Sequence, residues 1–161
     1  MAQVTRRIAS IVAPILAVVA LGACGGGGTS TQEKNAYARE VNTAQTKFAT
    51  TVSTAASEEA EGEKSLSRLQ LTLRRFRAAI DGVIRDLRKI DAPSEVSEEH
   101  DQLVSVMSGY GDEIGRASDE MRNPTPRGAQ LVKQRLDAAQ RSVTTQVNAA
   151  IAAINVKLRG E

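Results

Sequence analysis

Residues 65–90 read SLSRLQLTLRRFRAAIDGVIRDLRKI and hold the most regular apolar pattern in this chain of 161 residues. The apolar positions alternate at spacings of three and four, at Leu66, Leu69, Leu73, Phe76, Ile80, Val83, Leu87 and Ile90. A repeat of about 3.5 residues, kept over roughly three heptads, is typical of a helix packed along its whole length. The stretch therefore predicts a long amphipathic helix in an all-α protein.

Three further segments, at about 33–56, 95–122 and 126–158, repeat this spacing. Their expected inward positions are Tyr37, Val41, Ala44, Phe48, Val52 and Ala55 in the first, Val96, His100, Leu103, Met107, Tyr110, Ile114, Ala117 and Met121 in the second, and Val132, Leu136, Ala139, Val143, Val147, Ile151, Ile154 and Leu158 in the third. No stretch shows the period-two alternation that is typical of a strand.

Proline-containing breaks separate the last three predicted helices. Pro93 in Asp91-Ala92-Pro93-Ser94 disfavours helical geometry for the residue before it, and Ser94 is a candidate N-cap for the next helix. In Asn123-Pro124-Thr125-Pro126, Thr125 is the candidate cap and Pro126 suits the first helical position.

Helices joined by short connections place sequence neighbours antiparallel. We therefore expect residues 33–161 to form one elongated, up-down-up-down four-helix bundle. A three-helix bundle with the first helix loosely docked is the alternative, because the apolar stripe of that helix depends on alanine and polar residues. Gly109, Gly111 and Gly115 weaken the middle of the third helix, each by roughly 1 kcal/mol relative to alanine.

The N-terminus has the order of an export signal. Arg6 and Arg7 precede an apolar stretch, which is followed by Leu21-Gly22-Ala23-Cys24 with the only cysteine of the chain. These four residues resemble the lipobox of bacterial lipoproteins. The resemblance implies a diacylglyceryl thioether on Cys24, recognition of Leu21, Gly22 and Ala23 by a signal peptidase, cleavage before Cys24 and acylation of the new amino group, with palmitate among the expected acyl chains.

The resemblance divides the chain into a signal peptide at 1–23, a lipidated flexible tether at 24–32 and the bundle at 33–161. An uncleaved membrane anchor and ordinary secretion are the alternatives. The apolar stretch is shorter than the ~20 residues that a membrane-spanning helix needs, and Pro14 interrupts it. Thr5-Arg6-Arg7 resembles a twin-arginine signal, so the export route stays open.

The composition of the mature chain bounds its partners. Two of the 21 basic residues lie in 1–23, so cleavage leaves 19 basic residues against 19 acidic ones. A neutral chain with two Tyr, two Phe and no Trp offers neither the charge nor the stacking surface that nucleic-acid binding needs. We therefore expect no nucleic-acid partner.

The predicted helices carry no arrangement of residues that indicates catalysis. His100 is the only histidine and occupies an inward position, where it is either a general base or metal ligand or a packed core residue, the reading we favour. One histidine without a cysteine or converging carboxylates gives too few ligands for a tight metal site. We expect no catalytic residue, no metal and no cofactor, and hence no enzyme.

Charge is distributed unevenly between the second and third predicted helices. The second is rich in arginine and the third in glutamate and aspartate. Opposite charges on antiparallel neighbours attract along their shared edge, which is the interpretation we favour. The alternative is that the basic helix contacts anionic lipid head groups or envelope polymers.

The chain as a whole resembles the small all-helical lipoproteins of high-GC Gram-positive bacteria, through the helix breaker and the acidic, histidine-containing segment at 90–100. Such proteins have no assigned activity. We expect a protein anchored by lipid on the extracytoplasmic face of the cell membrane, acting as a non-enzymatic interaction or structural module for another envelope protein or an anionic polymer. A ligand-binding or sensor module is the alternative, with a cavity left by Ala44, Ala149, Ala150, Ala152 and Ala153.

Overall fold

The computed structural model describes residues 30–60, 65–122 and 125–160. These residues form four α helices and no strand: α1 is Thr31–Ala60, α2 is Leu66–Leu87, α3 is Ser97–Glu120 and α4 is Pro126–Arg159. The predicted all-α class is confirmed, with helix bounds that differ from the expected ones by up to two residues at the N-terminal ends and up to four at the C-terminal ends.

Each helix packs against the next one in the sequence, and neighbours run antiparallel. Direction is evident from contacts at the two ends of α3 and α4: Lys157 pairs with Glu99 near one end, and Arg135 pairs with Glu113 near the other. Contact between α1 and α4 is slight by comparison. The arrangement is the predicted up-down-up-down bundle, and its weakest seam lies between its first and last helices.

The core follows the predicted stripes closely. In α3 all eight expected inward positions are buried, including the flanking Val96 and Met121. Leu69, Ile90, Leu136, Ala139 and Val147 are only half-buried and pack at the edge of the core. Three rings connect three helices: Phe48 lies 6.1 Å from Phe76, and Phe76 meets Tyr110 edge-on at 6.0 Å.

The break between α2 and α3 differs from the sequence-based expectation. α2 ends at Leu87 rather than near residue 90, and the N-cap of α3 is Val96 rather than Ser94. The backbone N–H of Val96 donates to the Pro93 carbonyl at 2.9 Å, so the chain makes one further turn before the helix begins. Val96 is fully buried, which indicates that packing rather than a side-chain cap sets this start.

The start of α4 matches its prediction. Pro126 is in the first turn, and the Thr125 hydroxyl accepts a hydrogen bond from the backbone N–H of Gly128 at 3.0 Å. The side-chain oxygen thus satisfies one of the N–H groups that a helix leaves without a partner at its N-terminus.

Candidate functional site

The predicted lipidation site lies outside the described residues. Leu21, Gly22, Ala23 and Cys24 all precede residue 30, the first that the structure describes. The described part of the chain contains no helix long and apolar enough to cross a membrane. Within the described bundle, a cluster of polar contacts lies at the end where α1 begins.

His100 lies at that end, 5% exposed, and connects three helices. Its Nε2 is 3.1 Å from the carbonyl oxygen of Leu87, and its Nδ1 is 3.2 Å from the hydroxyl oxygen of Tyr37. A carbonyl can only accept, so Nε2 carries the proton and donates, while Nδ1 accepts from the tyrosine. Both ring nitrogens are thereby occupied. The Leu87 carbonyl lies at the C-terminus of α2 and also accepts from the Ile90 backbone N–H at 3.0 Å, so His100 adds a second donor to this helix end.

Ion pairs surround this histidine. Lys34 contacts Glu95 at 2.8 Å and donates to the Leu158 carbonyl at 3.0 Å, which joins the start of α1 to the end of α4. Lys157 contacts Glu99 at 2.6 Å. The hydrogen bond from Lys157 is the main cause that lowers the pKa of Glu99, whereas burial, followed by the charge of Glu99, raises the pKa of Tyr37. Each charged side chain of the cluster thus has an ion-pair partner, although Glu99 Oε2 is buried without a hydrogen bond.

No metal site emerges from this arrangement. Within the described ranges, no three His, Cys, Asp or Glu side chains come together as ligands. Two cavities of the described bundle, one between α1 and α2 and one between α1 and α4, are lined by neither His100 nor the carboxylates beside it.

Arg77 is a residue that the sequence analysis did not single out. Its guanidinium contacts Asp81 at 3.0 Å within α2 and Asp112 at 3.1 Å on α3. The Arg77 guanidinium lies over two glycines of α3. A Cβ added to Gly111 would be 3.4 Å from Arg77 Nη1, and a Cβ added to Gly115 would be 3.2 Å from the same atom. The missed signal was the spacing of these glycines, because residues four apart share a helix face and leave room for a neighbour.

The acidic face of α3 does not neutralise the basic face of α2 as expected. Among the described residues, Arg77–Asp112 is the only ion pair between these two helices. Glu99 and Glu113 pair with α4, and Glu95 pairs with α1. The reason is rotational: Glu99 and Glu113 lie on the side of α3 that faces α4, whereas Glu95 precedes the helix and meets Lys34 at the end of the bundle.

Several cations of α2 and of the turn that follows it are consequently left without a partner among the described acidic residues. Arg74, Arg85, Arg88 and Lys89 are exposed and form no ion pair with a described carboxylate. The carboxylate of Asp86 is bound at 2.6 Å by Lys47 of α1, and this hydrogen bond is the main cause that lowers the pKa of Asp86. Lys89 and Arg85 lower that pKa further through their charge alone.

An open groove of about 600 Å³ lies between α1 and α2. Small and apolar residues are prominent in its described lining, which also contains three cationic side chains and one anionic one. The lining consists of Ala44, Lys47, Phe48, Thr50, Thr51, Thr54, Arg75, Ala78, Ala79, Gly82, Val83, Arg85 and Asp86.

A second, much smaller cavity of about 60 Å³ lies between α1 and α4 and reaches the core. Leu103, Met107 and Tyr110 are part of its apolar wall, and Gln45 and Asn148 are among its polar residues. Phe48 lines both this cavity and the open groove. Of the alanines expected to leave space, Ala44 lines the groove, Ala150 is buried, and neither lines the small cavity.

Comparison with known proteins adds no family to this picture. No family model, no curated protein and no solved structure matches the chain.

Proposed function

We propose that this protein is a lipid-anchored component of a bacterial cell envelope and that its bundle acts as a non-enzymatic interaction or structural module. The observation that carries the proposal is Leu21-Gly22-Ala23-Cys24, placed directly after a basic and an apolar segment. A thioether-linked lipid at Cys24 would hold the bundle on the extracytoplasmic face of the membrane. The glycine-rich stretch before α1 is short, so the end carrying His100 would face the lipid surface.

The interior of the bundle is consistent with a role that does not involve catalysis. His100 has both nitrogens hydrogen bonded, and the charged groups beside it are paired with one another. General acid–base catalysis needs a titrating group within reach of a substrate. In this cluster such groups are occupied by their own neighbours.

The anchor is tested by replacing Cys24. We expect the Cys24→Ala variant to lose membrane association or to stay unprocessed, while Thr29→Ala, a tether variant that keeps the lipobox, fractionates with membranes as the wild type does. Intact mass spectrometry of the membrane-extracted protein is expected to show a chain starting at Cys24 and carrying acyl groups. An unmodified thiol, a different mature start or a wholly soluble wild-type protein would refute the anchor.

A ligand-binding or sensor module is the second candidate, and the cavity between α1 and α4 favours it. At about 60 Å³ the cavity holds about two water-sized volumes, so a larger apolar ligand would have to displace α1 or Phe48. A panel of metabolites and lipids that leaves the melting temperature of the purified protein unchanged would argue against this candidate. Crosslinking in intact cells then identifies an envelope partner.

A further inference from the structure

We propose that the groove between α1 and α2 binds an extended polymer that carries phosphate groups. The proposed envelope location determines which polymer the groove would meet, and the proposal rests on that location in this respect. The binding itself does not depend on it. Its basis is positive charge at a built cleft: Arg85 lines the groove and forms no ion pair with a described carboxylate, whereas Asp86, the one acidic side chain among the described lining residues, is bound by Lys47.

The positive charge continues beyond the groove along α2. Arg74, Arg88 and Lys89 are exposed beside it and form no ion pair with a described carboxylate. Arg74 and Arg85 are eleven residues apart, which is about 16 Å along a helix axis, so the positive strip runs parallel to the groove. At physiological ionic strength charges act over roughly 8 Å, so neighbouring members of this strip reinforce one another.

The polar wall on the α1 side is made of threonines. Thr50, Thr51 and Thr54 donate their hydroxyl protons to backbone carbonyls four residues earlier in the helix, at 2.9–3.0 Å. The floor between the two walls is formed partly by Ala78, Ala79 and Gly82, which leave the cleft open and uncharged at its base. A polymer can therefore lay its carbon backbone on the floor with its anionic groups turned to the arginines.

The length of the groove suits an extended chain. Its α2 lining spans residues 75–86, about 16 Å of helix, so such a chain can lie along the groove and reach its floor. A flat membrane, by contrast, reaches the outer arginines but not the floor.

The test measures binding of the purified full chain to linear polyphosphate by isothermal titration calorimetry. Phosphate contacts release counterions, and for contacts with the four cations Arg74, Arg85, Arg88 and Lys89 we expect the affinity to fall roughly a hundredfold when the salt concentration rises from about 50 to about 200 mM. Orthophosphate at the same phosphate concentration is expected not to compete, since it occupies one contact at a time. Competition by orthophosphate at equal concentration, or binding insensitive to salt, would overturn the proposal.

Two variants locate the site. The double variant Arg74→Gln/Arg85→Gln removes two cations from the strip and should raise the Kd about tenfold. The matched control Arg127→Gln/Arg141→Gln removes two exposed arginines of α4, which is not part of the groove, and should change the Kd less than about twofold. Equal effects of the two double variants would mean that net charge alone attracts the polymer, and would refute the groove.

A steric variant distinguishes the groove from its positive surroundings. A Cβ built at Gly82 has its nearest neighbour at 3.9 Å, the Arg85 Nη2, so the site accepts a side chain without strain. Gly82→Met therefore keeps the charge, favours the helix and fills the floor. We expect it to weaken polyphosphate binding while leaving adsorption to phosphatidylglycerol vesicles unchanged. Polyphosphate binding unaffected by Gly82→Met would overturn the proposal.

The proposed lipid anchor and the proposed polymer-binding groove can be refuted independently of each other. Cys24→Ala changes no residue of the groove, so its affinity for polyphosphate should equal that of the wild type. Loss of membrane association in that variant with unchanged polyphosphate binding supports both proposals. Normal fractionation with unchanged binding refutes the anchor alone, and absent polyphosphate binding in a membrane-bound wild type refutes the groove alone.

Discussion

The buried position of His100 is predicted by the sequence, whereas its hydrogen-bond partners are evident only from the structure. Its inward position follows from the spacing of the α3 stripe, and the structure confirms that it is buried. Its partners belong to α1 and α2, at sequence distances of 63 and 13 residues. A buried polar ring is stable when both nitrogens are hydrogen bonded, and the Tyr37 hydroxyl and the Leu87 carbonyl meet that requirement.

Removing this ring should cost stability. His100→Ala leaves the Tyr37 hydroxyl without its partner, leaves the Leu87 carbonyl only its hydrogen bond from the Ile90 N–H and removes a buried ring, so we expect the free energy of unfolding to fall by about 2–3 kcal/mol. Tyr37→Phe leaves only Nδ1 unpaired and should cost about 1 kcal/mol. Urea denaturation followed by circular dichroism measures both. Ser105→Ala, at an exposed position of α3, serves as the control; a His100→Ala protein as stable as this control contradicts the assigned role.

The two tyrosines of the chain predict a sharp response to alkali. Burial raises the pKa of both Tyr37 and Tyr110, so folding favours their neutral forms. This contribution is complete below the unfolded pKa of about 10 and is lost as the pH rises above it. We expect tyrosinate absorbance and helix content to change together in one alkaline transition. Stepwise tyrosinate formation near pH 10 with intact helices would show that the rings are accessible.

The three glycines in the middle of α3 have different surroundings although the sequence presents them alike. Gly109 has nothing within 4 Å of an added Cβ, whereas at Gly111 that atom would stand 3.0 Å from Ile80 Cγ2. Ile80 is fully buried and has little freedom to move. At Gly115 the neighbour is the Arg77 guanidinium, the flexible end of a long side chain. Close approach of α2, rather than helix weakness alone, explains Gly111.

A series of alanine substitutions tests this difference. Gly109→Ala should stabilise the protein by about 1 kcal/mol, the usual gain in helix propensity. Gly111→Ala makes the same gain but overpacks a core contact, at a cost of about 1–3 kcal/mol, and should be destabilising overall. Gly115→Ala should fall between them. Thermal denaturation ranks the three proteins, and equal stabilisation by all three would contradict the packing at Gly111.

α1 is the helix whose own sequence favours an amphipathic helix least. It is the longest apart from α4, yet its sequence is rich in threonine, alanine and polar residues. Thr43 and Thr46, like the three threonines of the groove, donate their hydroxyls to carbonyls four residues earlier, which satisfies them without leaving the helix. Tyr37, Val41 and Phe48 supply its burial. α1 packs mainly against α2 and only slightly against α4. In this respect the four-helix bundle resembles the alternative in which α1 is loosely docked.

For the whole molecule, the shared core sets the stability. Leu73 and Leu71 lie two residues apart on α2, with 3% and 48% of their surfaces exposed. Leu73→Asp buries a charge without a partner and should unfold the bundle, since a penalty above about 4 kcal/mol approaches the stability of a typical domain. Leu71→Asp should leave it folded. Circular dichroism and thermal melting read out both variants; similar melting temperatures would refute the assigned core face.

Periodicity was enough to locate the four helices, their inward faces, the cap at Thr125 and the break near Pro93. These properties depend on residues within a few positions of one another, and local spacing carries that information. The N-cap of α3 was predicted at Ser94 and lies at Val96, because the turn from Pro93 to Val96 and the burial of Val96 prevail over capping preference.

The partners of the charged and polar residues were decided only in three dimensions. Which cation meets which carboxylate depends on the order of the helices around the bundle and on how each is rotated about its axis, and no local pattern records either. Arg77 on the glycines of α3, His100 between Tyr37 and Leu87, and the cations left over along α2 all follow from that arrangement. The lipobox-like residues are a linear signal and need no fold to be read, whereas the groove exists only where α1 and α2 lie side by side.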